Sequence, residues 1–428
     1  MTLAPGALWP GSIGAGQEMP LRVQGLAPAL SWRRVLTLAA VLPLFGQSFH
    51  YMKDAAPLWA LSKAFPLLSL PLAFLLFRGV RPEGARQILI TFVWLTLAPT
   101  FIAISTFQQT FFLGLAAQVK LLPILYFFSF LGLLRWMRPS LREIAIGFLV
   151  WAAITYFILV LTWAAAPQSW YSDHYVAGES PLLSADGRGN RIRMPMYFGL
   201  IGIFYAYRRF FATRRWLWLM LAAIGFGLVV GLVRTRSIVL GIAAIAAINA
   251  FTAASMRVRI LLIAVLPLAF AGLFSVPYVA SVFSTDSNSG FDVRWISTVK
   301  AVDFLGLNPL RWLFGVGTIS PVDPAGLMTY FNHFFFLADI TWIGVIFEFG
   351  LLGAALIIAI PARAFFLVRR ARGLLDDPFL GAVQDYVVYA VLISELYPLT
   401  MAPGEFSVIL ALAVYVLERA RPPGRVRS

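Results

Sequence analysis

Long apolar runs alternate along the chain with short segments that contain arginine, proline and glycine. Most of the apolar runs approach the 20 or so residues that a helix needs to cross a hydrocarbon core of about 30 Å. They predict twelve transmembrane helices, at 35–49, 55–77, 87–106, 111–134, 144–166, 195–207, 216–233, 238–256, 260–282, 340–362, 381–398 and 404–417. The pattern therefore predicts an all-α polytopic membrane protein.

Composition supports this class and excludes others. Apolar residues make up 60% of the chain and charged residues 12%, and the mean hydropathy is +0.82, which excludes an ordinary soluble protein. The absence of cysteine excludes disulfides, thiolate metal sites and a cysteine nucleophile. Three histidines in 428 residues supply little for metal chemistry, so we predict no metal and no cofactor.

The net charge of +15 reflects membrane topology more simply than nucleic-acid binding. Of the 34 lysines and arginines, 23 lie in alternate loops that face one side of the predicted bundle. Arginine and lysine are retained on the cytoplasmic side, so this side and both termini are predicted to be cytoplasmic. The predicted surroundings are membrane lipids, and no nucleic acid is expected.

This orientation divides the chain into segments with different roles. Residues 1–34 and 418–428 are predicted cytoplasmic ends, residues 35–282 contain nine membrane helices, and residues 340–417 contain three more. Two long loops lie on the outer side, at 167–194 and 283–339. Because the cytoplasmic loops are short, chemistry is expected on the outer face, where cytosolic ATP and nucleotide sugars are not available.

The outer loops and their neighbouring helix ends contain several short motifs. They are the arginines Arg188, Arg191 and Arg193 before Met194-Pro195, the segment Arg236-Ser237-Ile238-Val239-Leu240, Arg294 on a short predicted helix, Asn308-Pro309-Leu310, Gly315-Val316-Gly317, and an apolar helix opened by Asp339 that contains Glu348-Phe349-Gly350-Leu351-Leu352-Gly353. The Asn-Pro and Gly-x-Gly turns predict a compact extramembrane fold in the second loop.

In this order the motifs resemble the O-antigen ligase and polymerase superfamily of bacterial inner membranes. The matched elements lie between about 186 and 355. The resemblance implies glycosyl transfer on the periplasmic face, without metal, from an undecaprenyl-pyrophosphate-linked glycan. The acceptor is a glycan in the polymerases and lipid A-core in the ligases.

The chain departs from the family pattern at one position. Members usually carry a His-Asn pair about nine residues before the acid of the Glu-x-Gly-x-x-Gly segment, and here that place is held by Asp339, followed by Ile340. Either Asp339 replaces the histidine, or His333 reaches the same site from the preceding loop. Spacing favours Asp339, and an acid there is more similar to the polymerase members.

The resemblance assigns Arg236 and Arg294 to the donor pyrophosphate, with Arg191, Arg193 and Arg234 as further ligands. Guanidinium groups stabilise the charge on a departing pyrophosphate through charge-assisted hydrogen bonds, and a carboxylate or imidazole can accept the acceptor's proton. Each residue also has a plainer interpretation. Arg236 can cap a helix junction, Asp339 can be a helix N-cap, and the other cations can face water.

Lys120 and Glu348 are charged residues inside predicted spans, at similar depths below the outer helix ends. They either snorkel to the interface or line a polar cavity as a pair.

The favoured hypothesis is a metal-independent membrane glycosyltransferase, in particular a repeat-unit polymerase. An O-antigen ligase is the runner-up. A polytopic transporter or lipid-linked glycan flippase is the alternative from another class, since twelve helices with both ends inside also suit a transporter.

Overall fold

The computed structural model describes residues 30–49, 52, 56–78, 81–172, 181–186, 189–261, 263–265, 290–320, 331, 337–395 and 399–420. Of the described residues, 83% are helical. The helices of the first half are α1 (Trp32–Phe45), α2 (Ala56–Leu68), α3 (Ala85–Phe107), α4 (Phe111–Ala117), α5 (Tyr126–Met137), α6 (Leu141–Ala165), α7 (Tyr197–Thr213), α8 (Trp216–Leu228) and α9 (Arg236–Ala253). Those of the second half are α10 (Gly290–Leu305), α11 (Pro309–Phe314), α12 (Thr341–Leu375), α13 (Pro378–Leu392) and α14 (Pro403–Ala420).

Irregular helical segments continue several of these elements. A 3-10 segment follows α2 at Leu70–Arg78, another joins α4 to α5 at Gln118–Leu125, and a third precedes α12 at Leu337–Ile340. A π-helical turn, Val229–Val233, ends α8. Shorter 3-10 turns lie at Gln168–Trp170, Ile393–Glu395 and Leu399–Met401, and residues 256–261 and 263–265 are helical.

Seven helical segments in the described part of the chain are long and apolar enough to cross a membrane. They are Ala56–Leu76, Ala85–Phe107, Phe111–Met137, Leu141–Ala165, Trp216–Val233, Arg236–Ala253 and Thr341–Leu375. Helices α1, α7, α13 and α14 overlap the predicted spans at 35–49, 195–207, 381–398 and 404–417 but are not among these seven segments. The span predicted at 260–282 lies almost entirely outside the described residues.

Helix α14 forms the centre of the bundle. Its side chains from Phe406 to Leu417 are buried all round, and it packs against α12, α5 and the 3-10 segment Gln118–Leu125. A helix that is apolar on every face belongs in an interior. By contrast, outward-facing side chains such as Phe101 and Phe157 are exposed, as expected for a surface in contact with lipid.

Polar contacts between helix ends join ends that the arginine pattern predicts to lie on the same side of the membrane. At the predicted cytoplasmic ends, Arg135 pairs with Glu418 at 2.6 Å, and Arg208 pairs with Asp385 at 2.6 Å. At the opposite ends, Gln47 Oε1 accepts from the Gly404 N–H at 2.9 Å. Loops predicted to share a side are therefore close together in the fold.

Three expectations are corrected. Helix α12 continues to Leu375, so the arginines expected in a loop at 363–372 lie on the helix, and α7 likewise runs through much of 208–215 to Thr213. At 1.5 Å per residue, 35 residues of α12 exceed a hydrocarbon core, and the arginines extend the helix into the polar interface.

The helical class is confirmed, and the second correction is only that the first outer loop also contains a hairpin of β1 (Leu183–Asp186) and β2 (Gly189–Ile192). Its antiparallel register pairs Ser184 with Arg191. The third correction concerns Asp339. It does not open α12 as its N-cap, because the helix begins at Thr341 with Ile340 as N-cap, and Asp339 lies in the preceding 3-10 segment.

Candidate functional site

The hairpin brings two arginines of the first outer loop to one hydroxyl group. Arg191 and Arg193 are two residues apart, which directs their side chains to the same face of an extended chain. Each donates from Nε to Ser184 Oγ, at 3.0 Å and 3.1 Å respectively. Arg191 is buried, and the two guanidinium groups share the Ser184 hydroxyl among their contacts. Such a concentration of positive charge suits an anion with several oxygens.

Arg234 comes to this hairpin from another part of the chain. It follows the π-helical turn in the left-handed conformation, with φ 51°, and its Nε donates to the Gly231 carbonyl at 2.8 Å. The start of β2 lies directly against its guanidinium, since a Cβ at Gly189 would be 2.5 Å from Arg234 Nη1. The tertiary structure thus brings Arg234 to the hairpin that carries Arg191 and Arg193, and we call these three residues the arginine cluster.

Arg236 lies beside the arginine cluster, two residues after Arg234, as the first residue of α9. The positive end of the helix dipole is at this N-terminus, so a cation here does not stabilise the helix. The N-cap is Thr235, which has no side-chain capping hydrogen bond. Arg236 is therefore the first residue of the helix and not its N-cap.

A cavity of about 670 Å³ opens beside Arg234, the member of the arginine cluster that is among its lining residues. Its lining includes the end of α6, the hairpin and the π-helical turn, with Trp163, Gln168, Tyr171, Asn190 and Arg234 as the side chains that offer rings, amides and charge. The amides of Gln168 and Asn190 donate to each other, at 3.2 Å and 2.6 Å. An aromatic and amide lining beside a guanidinium can accommodate a sugar attached to an anionic group.

Sequence reasoning did not identify this lining or Ser184. The signal was present as Asp186-Gly187-Arg188-Gly189-Asn190, a glycine-rich turn that is typical of a hairpin. Arg188 itself lies outside the described residues.

The second outer loop contributes Arg294 from a separate position. Arg294 is exposed on α10, and this helix packs against α12 and the 3-10 segment at Leu337–Ile340. The structure thus brings the Arg294 helix next to the turn that contains Asp339, and it shows no contact between Arg294 and the arginine cluster among the residues it describes. The Asp339 side chain and the whole of His333 lie outside the described residues.

The predicted Asn-Pro turn is a helix start in the structure. Asn308 is the N-cap of α11 and accepts from the Leu310 N–H at 3.0 Å, with Pro309 in the first turn. The two glycines that follow α11 have positive φ, 81° at Gly315 and 93° at Gly317.

Lys120 and Glu348 form an ion pair, as one of the two sequence interpretations proposed. The Lys120 ammonium donates to both carboxylate oxygens, at 2.8 Å and 2.7 Å, and lies 5.4 Å from the centre of the Phe349 ring. Their side chains are 26% and 10% exposed. An ion pair so shielded is costly to break, because either partner alone would be a charge at membrane depth.

Within the described parts of the chain, no three histidine, aspartate or glutamate side chains are placed to hold a metal ion. The expected absence of metal remains a prediction.

Comparison with known proteins gave no match, either to a family model or to a curated sequence. The resemblance to the O-antigen ligase and polymerase superfamily therefore rests on the short sequence motifs alone.

Proposed function

We propose that the protein is a membrane glycosyltransferase that moves a polyprenyl-pyrophosphate-linked glycan to an acceptor sugar hydroxyl on the periplasmic face of the inner membrane. The observation that carries the proposal is the cavity of about 670 Å³ lined by Arg234, next to the hairpin whose Arg191 and Arg193 donate to Ser184, at the helix ends opposite the basic loops. The resemblance of the sequence motifs supports the same class.

The arrangement suits the chemistry of the proposed transfer. The acceptor oxygen bonds to the anomeric carbon while the bond from that carbon to the pyrophosphate oxygen breaks. Negative charge then develops on the departing pyrophosphate, which is the charge that several guanidinium groups can stabilise. The acceptor proton passes to a base, for which Asp339 is the first candidate and His333 the second.

Among the transferases, a repeat-unit polymerase is favoured over a ligase because the sequence has an acid at position 339. The two differ in acceptor, a growing glycan or lipid A-core. Purified protein supplied with lipid-linked donor and each acceptor separately distinguishes them by the product that forms.

The same assay tests the base and the metal-free mechanism. Asp339→Asn keeps the size of the side chain but removes the base, so transfer should fall roughly 10²- to 10⁴-fold, while His333→Ala should retain activity. Excess chelator should leave the rate unchanged. Normal turnover by both variants would remove both residues from the chemistry, and activity lost to chelator and restored by a divalent ion would refute the metal-free mechanism.

A transporter or flippase is the second candidate, favoured by the Lys120–Glu348 ion pair at membrane depth. Reconstituted vesicles separate the two candidates. A flippase would move labelled lipid-linked glycan across the bilayer without an acceptor, whereas the proposed enzyme would form product only with one.

A further inference from the structure

Residues 315–320, which we call the inner strap, leave the second outer loop and pack against the middle of membrane helices. A Cβ at Gly317 would lie 2.5 Å from the Ala103 backbone nitrogen and 2.6 Å from the Pro99 carbonyl oxygen of α3. Pro99 is eight residues from the end of α3, or about 12 Å along the helix axis. The inner strap is buried throughout. Non-helical backbone at such depth is tolerated only when protein covers its polar groups.

The inner strap is joined to α12 at a break in that helix. Gly350 has φ 67° and ψ −179° inside α12, and the Val316 N–H donates to the Phe347 carbonyl at 2.8 Å. A Cβ at Gly315 would be 2.7 Å from the carbonyl oxygen of Glu348. The backbone of Glu348 is therefore in direct contact with the strap.

Hydrogen bonds of Gln109 join the other end of the inner strap to the start of α4. Its Nε2 donates to the Thr318 carbonyl at 2.8 Å, and its Oε1 accepts from the Ser320 N–H at 3.3 Å. Lys120 continues the same membrane segment nine residues after its start at Phe111. The Lys120–Glu348 ion pair thus joins α12, which contacts the strap, to the membrane segment that follows Gln109.

We propose that Lys120 and Glu348 are a positioning pair, which locks the inner strap into the bundle and thereby fixes the attached helices α10 and α11. Both charges neutralise each other at membrane depth, and Glu348 fixes the broken section of α12 that contacts the strap. If one charge is removed, the other is left unpaired in an apolar setting, and the least costly response is for the broken section of α12 and the strap to separate.

The proposal depends on the proposed function in one respect: α10, which the strap fixes, carries Arg294, a proposed ligand of the donor pyrophosphate. The test below is made without substrate, so a wrong assignment of function would leave its result unchanged.

Thiol labelling measures whether the strap is in place, because the chain contains no cysteine. Thr318→Cys supplies the reporter. Thr318 is 2% exposed, and its hydroxyl has no hydrogen-bond partner among the described residues, so replacing it with a thiol should cost little stability. Purified protein carrying this reporter is treated with a maleimide. We then compare the labelling rate of Thr318→Cys by itself with its rate in three further backgrounds. These are Lys120→Met, Glu348→Gln, and the exchanged pair Lys120→Glu with Glu348→Lys.

Each single variant should label on the order of 10- to 100-fold faster than the reporter alone, and the exchanged pair should restore much of the protection. The matched control is Arg135→Met, which breaks the ion pair with Glu418 at the opposite end of the bundle and should leave the rate unchanged. If the single variants do not accumulate, a folded exchanged pair with slow labelling supports the proposal.

Three results would overturn it. One is labelling of the single variants at the reporter's own rate, and another is an equal acceleration by Arg135→Met, which would indicate general loosening. The third is an exchanged pair that labels as fast as the single variants or fails to accumulate.

Discussion

At the residue scale, different local structures position the arginines of the proposed outer face. The β-hairpin positions Arg191 and Arg193 on one hydroxyl, and the left-handed backbone at Arg234 turns that guanidinium against Gly189. Arg236 stands at a helix N-terminus, where its charge is electrostatically unfavourable for the helix. These positions are consistent with the anionic ligand of the proposed function.

Arg236→Lys should impair transfer although it keeps the net charge. Lysine provides a point charge without the planar fork of donors that matches a phosphate. Loss of one charge-assisted contact costs about 1.5–3 kcal/mol, or roughly 10- to 150-fold in rate when the contact acts in the transition state. Steady-state transfer with purified protein measures this, and Arg215→Lys, at an exposed position between α7 and α8, is the control. Equal activity of the two variants would contradict the assignment.

Gly189→Ala tests the arginine cluster without removing a charge. Gly189 has φ 81°, and an added Cβ would meet Arg234 Nη1, so the guanidinium must move. We expect transfer to fall about 10-fold, because a displaced donor loses its contact with the ligand. Gly227→Ala is the matched control, since nothing lies within 4 Å of its added Cβ. An unchanged rate in Gly189→Ala would show that Arg234 does not act from this position.

At the element scale, three membrane segments depart from regular α-helical hydrogen bonding, and the inner strap contacts two of them, α3 and α12. Helix α3 contains Pro99, the segment between α4 and α5 is 3-10 helical, and α12 breaks at Gly350. Each interruption changes the hydrogen bonding of the helix, and at Phe347 the strap supplies a donor for the carbonyl.

Gly350→Ala should destabilise the protein strongly. Its φ of 67° is strained for alanine, and the new Cβ would collide with the Leu313 carbonyl oxygen and lie 2.5 Å from the Gly315 nitrogen. Strain and overpacking together predict a loss of about 2–5 kcal/mol in the free energy of unfolding. Thermal unfolding in detergent measures it. Gly373→Ala, in the same helix with open space around its Cβ, should instead be neutral or stabilising by up to about 1 kcal/mol. A melting temperature for Gly350→Ala equal to that of Gly373→Ala would contradict the described break.

At the scale of the whole molecule, the bundle has two chemically different ends. One is connected by bidentate arginine–carboxylate pairs between distant helices, Arg135 with Glu418 and Arg208 with Asp385. The other contains the hairpin, the arginine cluster and the cavity. This asymmetry accords with a basic side that stays in the cytoplasm and an outer side that holds the proposed site.

Thiol accessibility in intact cells tests this orientation, using single cysteines in a chain that otherwise has none. Leu307→Cys, at a fully exposed position between α10 and α11, should react with a membrane-impermeant maleimide. Gly373→Cys, at the end of α12 predicted to be cytoplasmic, should react only after the membrane is permeabilised. The opposite pattern would reverse the topology and with it the location of the proposed site.

The sequence by itself determined the helical class and most helix positions, because a 20-residue apolar run has few alternatives in a membrane. The start and end predicted at 216–233 agree with the segment Trp216–Val233, for example. The sequence also indicated a local change of chain direction at Asn308-Pro309, where α11 begins. This could be predicted because helix capping and proline geometry depend on neighbouring residues only.

Only the tertiary structure decided what these segments contact. The pairing of Lys120 with Glu348, the convergence of Arg234 with the hairpin, and the passage of the inner strap between α3 and α12 each join residues far apart in the chain. Such contacts depend on how helices pack, which apolar periodicity leaves open when a helix is apolar on most faces. The same reason explains why Glu348 and Gly350 could be recognised as a motif, while their part in holding the strap became visible only in the folded chain.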